Sequence, residues 1–318
     1  MSPADRTLLE ELLRARGPSG QEDEVAPVAQ RALKEACGNC EIDAAGNLLS
    51  IVRAEKAEQD PVMIVAHQDE VALAVKRIDP DGRLAVVPVG GIEPVNYGTV
   101  PVEIIGQKEV INGVLSLGTL HGTVDTKATR DAMSGKMSWE DLRVQTRRSP
   151  EALRDCGIRP GSRVVLHRAY RQLFDVEDTI AAHFLDDRAL IISLVQLARR
   201  LKDNRARLKR DVYLAVSVQE EMTNAGALFL ARKHEVETLV ALEVGPVAAE
   251  YGTSLDGGPI IVFSDEKGSY DKSLSDELVD LAVEAGLEPQ AALMPGFASD
   301  ASAAGASGLV ARAAVVAA

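Results

Sequence analysis

Val62-Met63-Ile64-Val65-Ala66-His67-Gln68-Asp69-Glu70 passes from an unbroken apolar run straight into a histidine and two acids. Such a run reads as a strand buried on both faces, as in a parallel sheet. The pattern recurs twice. Val212-Tyr213-Leu214-Ala215-Val216 leads to Gln219-Glu220-Glu221, and Leu239-Val240-Ala241-Leu242 leads to Glu243. In an open α/β sheet the carboxyl ends of the parallel strands face the ligand crevice, so these groups converge from distant parts of the chain. A further cluster, Asp186-Asp187-Arg188, opens a helix-like segment. Oxygen and imidazole ligands gathered at one mouth describe a metal site, and the separated acidic positions exceed what one ion needs.

Outward from these runs the chain reads as two interleaved modules. Leu8 to Arg16 and Glu24 to Ala36 have helical periodicity and are parted by the breaker cluster Gly17-Pro18-Ser19-Gly20. From about residue 71 to 170 the pattern changes to short β-like runs, with turns at Asp79-Pro80-Asp81-Gly82 and Val89-Gly90-Gly91. After Asp186 an α/β rhythm resumes. The expected fold is α/β: a mixed, mainly parallel sheet flanked by helices over 1–70 and 171–318, with a small β-barrel domain inserted over 71–170.

Composition narrows the function classes. The 318 residues carry a formal net charge of −13, which disfavours nucleic-acid and anionic-membrane partners and suits cation binding. No run approaches the ~20 apolar residues of a membrane span, and the first residues do not form a signal peptide. Three cysteines, an odd number, predict reduced thiols and a cytoplasmic setting. Cys37-Gly38-Asn39-Cys40 has C-x-x-C spacing, but it follows a helix and lacks a second pair, so it reads as a helix end with incidental thiols.

Each site residue also has a bland reading. His67 alone suits a half-buried core position. Asp69, two residues on along an extended chain, can hydrogen-bond the ring nitrogen that faces away from a metal. Asp186-Asp187 would serve as a helix N-cap pair, although a cap needs only one carboxylate. Glu220-Glu221 would be a solvated turn. On an extended segment the two would point to opposite faces, one to a metal and one to the water and substrate side.

Read in order, these motifs resemble the tetrahedral aminopeptidases, co-catalytic metallopeptidases of which some are called glutamyl aminopeptidases or endoglucanases. Gly17-Pro18-Ser19-Gly20 with Glu22 and Glu24 resembles the family's opening, and Asp43 with Gly46-Asn47-Leu48 its first turn. Ala66-His67-Gln68-Asp69-Glu70, Pro88-Val89-Gly90-Gly91, Leu185-Asp186-Asp187-Arg188, Val218-Gln219-Glu220-Glu221 and Gly296-Phe297-Ala298-Ser299-Asp300 follow in sequence. The insert also falls between the histidine and the aspartate pair, whereas related di-zinc carboxypeptidases and deacylases place it after the glutamate pair.

The resemblance implies two divalent ions, zinc by default with cobalt or manganese as alternatives. Asp186 would bridge them, His67 and Glu243 would complete one site, and Glu221 would hold the other. Glu220 would be the general base, taking a proton from water and passing it to the departing amine, with Asp69 as its catalytic companion behind His67. A cis peptide between Asp186 and Asp187 and a substrate pocket lined by residues 296–304 are also implied. The substrate would be a short peptide. Assembly would be homo-oligomeric, from a dimer through the inserted domain up to a dodecamer.

One departure stands out: the family supplies a final histidine from just beyond its last core strand, and this sequence ends at Ala318 within an apolar run. The sequence is therefore expected to stop short of that ligand, on an unpaired strand. His121, His167, His183 and His234 read as structural or exposed. Two alternatives stay open. One is a catalytically impaired homologue or scaffold; the other, more distant, is a glycoside hydrolase, although adjacent carboxylates do not naturally face each other across a glycosidic bond.

Overall fold

In the computed structural model, which describes residues 1–118 and 134–318, Val62–His67 is a central strand of a mixed sheet. His121 lies outside the described residues. Across the sheet the order is Glu41–Ile42, Leu48–Val52, Val212–Ser217, Val62–His67, Thr238–Glu243, Arg312–Ala317, Ile260–Asp265 and Gly268–Ser269, with Gln290–Met294 also beside Ile260–Asp265. The four strands from Val212–Ser217 to Arg312–Ala317 run parallel. Their registers put Ser217 opposite His67 and Glu243 opposite Ala317, so the chain leaves these strands along one edge.

Helices cover both faces. On one, Pro3–Arg14, Ala26–Cys37 and Leu185–Asp203 pack together and against the sheet, burying Leu9, Leu12, Leu13, Leu33, Ile191 and Leu194. Ser2 starts the first helix by accepting the Asp5 N–H, with Pro3 in the first turn, where its missing N–H costs no bond. Gly38, at φ 91°, ends the second just past Cys37, whose thiol donates to the Leu33 carbonyl. The C-x-x-C is thus a helix end, and its cysteines are free thiols. On the other face Leu230, Ala231, Ala301 and Ala304 pack on Met63, Val65, Ala215, Leu239 and Ala241.

The structure divides into two units, residues 1–69 with 184–318, and residues 70–183. The second is a closed antiparallel barrel in the order Ala72–Ile78, Leu84–Val89, Arg143–Gln145, Val110–Ser116, Val100–Ile105 and Arg163–Leu166. It continues through 171–183, which holds the hairpin of Phe174–Val176 and Thr179–Ala181.

Two expectations are corrected. The run at the end of the sequence is not an unpaired strand: Arg312–Ala317 pairs with Thr238–Glu243 on one side and Ile260–Asp265 on the other. That accounts for its apolar composition, since an interior strand is buried on both faces. Glu220 and Glu221 are not extended but open the short helix Glu220–Thr223, which Gln219 enters with a left-handed backbone, φ 57°.

Candidate metal centre

His67 ends its strand fully buried, with its backbone N–H donated to Oδ2 of Asp187 at 3.0 Å. Its Nε2 lies 3.0 Å from Oδ1 of Asp186, 3.8 Å from Oε2 of Glu243 and 4.0 Å from Oε2 of Glu220. On the far side of the ring, Nδ1 is 3.4 Å from Oδ1 of Asp69. His67, Asp186, Asp187 and Glu243 each offer one atom within 4.8 Å of the others. The peptide bond between Asp186 and Asp187 is cis, and both residues have non-helical backbone angles at the head of the Leu185–Asp203 helix.

Asp69 is buried and joins two elements. Its Oδ1 accepts the Glu220 N–H at 2.9 Å and its Oδ2 the Glu221 N–H at 3.1 Å, so it caps the short helix while lying behind the His67 ring. Glu220 directs its carboxylate toward His67 and accepts at Oε1 from Nδ2 of Asn224 at 2.7 Å. Glu221 leaves the same turn but stands outside the four-residue group. Among the described residues no histidine other than His67 joins that group. His234 instead packs edge-on against Tyr213.

The electrostatics are those of crowded acids out of water. Burial, reinforced by neighbouring carboxylates, pushes Asp187 and Glu243 well above the ordinary carboxyl range. Glu220 is pushed up to about 8, mainly by burial, with Asp300, Glu221 and Asp69 adding repulsion. Burial also lifts Asp300 to about 6. At His67 burial opposes the charged ring, but Asp186 and Asp69 outweigh it and hold the pKa well above the imidazole value. Asp69 is likewise buried, yet His67 and the Glu220 N–H hold it below its ordinary value.

A divalent cation fits this donor set. An imidazole nitrogen and carboxylate oxygens are its ordinary ligands, its charge would relieve the mutual repulsion, and Oδ1 of Asp187 is buried without a hydrogen bond. Three participants escape the sequence reading. Asp187 enters the group because the backbone turns at 186–187, away from a helical cap. Asn224, at the end of the Glu220–Thr223 helix, donates to Glu220, and Asp300 is joined to Glu220 through the same Asn224 amide. Asp187 and Asp300 each carried a signal, the first in the Asp186-Asp187 pair and the second at the end of the Gly296–Asp300 motif; Asn224 carried none.

Carboxylates and one imidazole at the carboxyl edge of a parallel sheet, with a glutamate held beside them, define a metal-dependent hydrolase. The M42 glutamyl aminopeptidase family matches residues 46–318, and the chain belongs to that family; it is a metal-dependent aminopeptidase. The lysyl aminopeptidase of Pyrococcus furiosus is 28% identical over 270 residues, which cover 81% of this chain and 74% of that protein. The fold is shared with the TET aminopeptidase of a marine-sediment Thaumarchaeota archaeon, at TM-score 0.87 and 22% identity over 99% of this chain and 87% of that one. It is shared too with the Pyrococcus horikoshii TET1 peptidase, at TM-score 0.82 and 23% identity over 98% and 89%. That peptidase is described as assembling into a tetrahedron or a large octahedral shell.

Proposed function

We propose that the chain removes N-terminal residues from short peptides, with Glu220 as general base and divalent cations held by His67, Asp186, Glu243 and Glu221. The observation that carries this reading is the convergence of His67, Asp186, Asp187 and Glu243 within 4.8 Å, with the Glu220 carboxylate 4.0 Å from the same imidazole nitrogen. His67, Asp186 and Glu243 would hold one ion. Asp186 would share a second with Glu221, an assignment that rests on the family. Zinc is the proposed ion, with cobalt or manganese as substitutes.

A bound divalent cation would supply Lewis acidity, making water a usable nucleophile near neutral pH. Glu220 takes the proton of the attacking water at its carboxylate and returns it to the nitrogen of the departing amine. Its raised affinity for a proton suits both halves of that exchange. Asp69 faces the His67 ring from behind, its Oδ1 3.4 Å from Nδ1, and holds the backbone of Glu220 and Glu221, which ties the base to the side of the imidazole.

Homo-oligomers built through the 70–183 unit, from dimers to a dodecamer, belong to the same proposal. They are supported by the shell-forming structural relative. A cytoplasmic setting is supported by the free cysteines. Among the described residues no helix is long and apolar enough to cross a membrane.

The test loads the chain with zinc, cobalt or manganese and measures hydrolysis of aminoacyl-p-nitroanilides, short peptides and a cellulosic substrate, with and without chelator. Chelator-sensitive release of N-terminal residues is expected, with a loss on the order of a thousandfold in Glu220→Gln. A Glu220→Gln variant as active as the parent, or hydrolysis of the cellulosic substrate alone, would overturn the reading. Metal content by mass spectrometry should show one tightly held equivalent per chain and a second, held by Asp186 and Glu221 alone, that fills only at higher metal concentration; two tightly held equivalents would contradict the expected lack of a second-site histidine.

A further inference from the structure

The glutamate assigned as base has a partner that the reaction scheme does not use. Asn224 follows the Glu220–Thr223 helix and is buried. Its Nδ2 donates to Oε1 of Glu220 at 2.7 Å and to Oδ1 of Asp300 at 3.2 Å. Asp300, fully buried at the start of the Asp300–Ala306 helix, is held through its other oxygen by the Ser217 hydroxyl at 2.5 Å. Ser217 in turn ends the strand next to His67 and lies in register with it.

The chemistry of this chain of contacts fixes its direction. When both groups are ionised, as a bound cation favours, each carboxylate only accepts, so the NH2 end of the Asn224 amide faces them and each takes one hydrogen. One amide thus spans two acids that would otherwise repel across a buried space. The backbone of Asn224 is left-handed, φ 55° and ψ 20°, a conformation asparagine tolerates better than most residues. That turn brings the amide back over the helix it has just left. Residue type and backbone conformation therefore serve the same contact.

We infer that Asn224 is a positioning residue for Glu220, clamped by Asp300 and Ser217, which holds the carboxylate in the orientation that lets it take and return a proton. The inference rests on the reading of Glu220 as general base. Without the Asn224 amide the Glu220 side chain keeps its attachment but loses the contact that selects its rotamer. A displacement of about 1 Å at a catalytic group costs on the order of a hundredfold in rate.

Asn224→Gly isolates the amide, because glycine adopts the left-handed backbone freely and removes only the side chain. Asn224→Asp keeps the shape and replaces the donor with a third acid. Each is compared with the parent and Glu220→Gln in the metal-loaded chain. Two substrates share one N-terminal residue: a short peptide, which leaves as a basic amine, and a p-nitroanilide, which leaves as a weakly basic one. Both Asn224 variants should lose kcat on the order of ten- to a hundredfold with KM within about twofold, and the loss should be greater for the peptide, whose leaving amine most needs the returned proton. Bound metal per chain and Tm should stay near the parent values for Asn224→Gly. A kcat within twofold of the parent, equal losses on both substrates, or loss of bound metal in proportion to activity would overturn the inference. If Glu220→Gln also cleaves like the parent, the base assignment itself falls; if Glu220→Gln is inactive while Asn224→Gly is not, only Asn224 loses its role.

Discussion

At Asp187, Glu220, Glu243 and Asp300 the folded chain binds protons that an unfolded chain would release. Burial raises the pKa of each carboxyl above its ordinary 3.8 or 4.5, that of Glu220 to about 8 and that of Asp300 to about 6. A group with a raised folded pKa binds more protons in the folded state, so stability falls as pH climbs from the unfolded value to the folded one. His67 acts in the same direction: its folded pKa lies above 6.5, and the stabilisation of its charged form is lost as pH rises through that raised value. The metal-free chain should therefore lose Tm as pH rises from the ordinary carboxyl range, near 4.5, to about 8, where Glu220 titrates. A bound divalent cation takes the place of the protons, so saturating zinc should raise Tm most at the alkaline end and flatten the slope. Calorimetry with and without chelator measures both, and a metal-free Tm that climbs over this interval would contradict the crowded-acid picture.

Among the elements, the turn carrying Glu220 and Glu221 depends on one buried asparagine. Asn47 accepts the Val218 N–H at 3.0 Å and donates to the Gly226 carbonyl at 3.2 Å and to Asp43 at 3.0 Å. Gly226 leaves no room in this junction: a Cβ there would sit 2.4 Å from the Asn47 side-chain oxygen and from the Val218 carbonyl. Gly226→Ala should cost about 1–3 kcal/mol of stability by overpacking and weaken metal binding as the 218–221 turn shifts. Urea unfolding and chelator competition read the two effects, and unchanged metal affinity would mean that the turn is held independently of Asn47. The sequence made the strands legible for a simple reason. Val62–His67, Val212–Ser217 and Thr238–Glu243 are buried on both faces, so their apolar runs last to the strand ends, and the functional groups His67, Glu220 and Glu243 come at those ends or just past them. What it hid were reversals inside a few residues. Gln219 and Asn224 turn through left-handed backbone, and the 186–187 link turns Asp187 inward; these are local geometries on which hydrophobic periodicity is silent. Asn47 was visible only as a turn residue, because its partners at 218 and 226 are far away in sequence.

On the scale of the whole molecule, the proposed metal ligands His67, Asp186, Glu221 and Glu243 all belong to the unit formed by 1–69 and 184–318. The 70–183 unit has its own closed barrel and its own buried ion pair, Arg171 with Glu70, both shielded from solvent. Nη1 of Arg171 donates to Oε2 of Glu70 at 2.9 Å and Nη2 to Oε1 at 2.5 Å, while Nε donates to the Leu166 carbonyl at 2.9 Å. Removing one member of such a pair takes from the other buried charge its ion-pair partner, at a cost of about 3–5 kcal/mol. A ligand stabilises only the structure that binds it, in proportion to its concentration over its Kd. Arg171→Ala and metal loading should therefore act on different parts of the thermal unfolding profile. The substitution should lower the transition of the barrel unit, and zinc should raise the transition of the sheet unit, whether or not Arg171 is present. Differential scanning calorimetry on parent and variant, each with zinc and with chelator, makes the comparison. A single transition moved equally by both perturbations would show that the two units unfold as one, and the division of the chain into separately stabilised cores would fail.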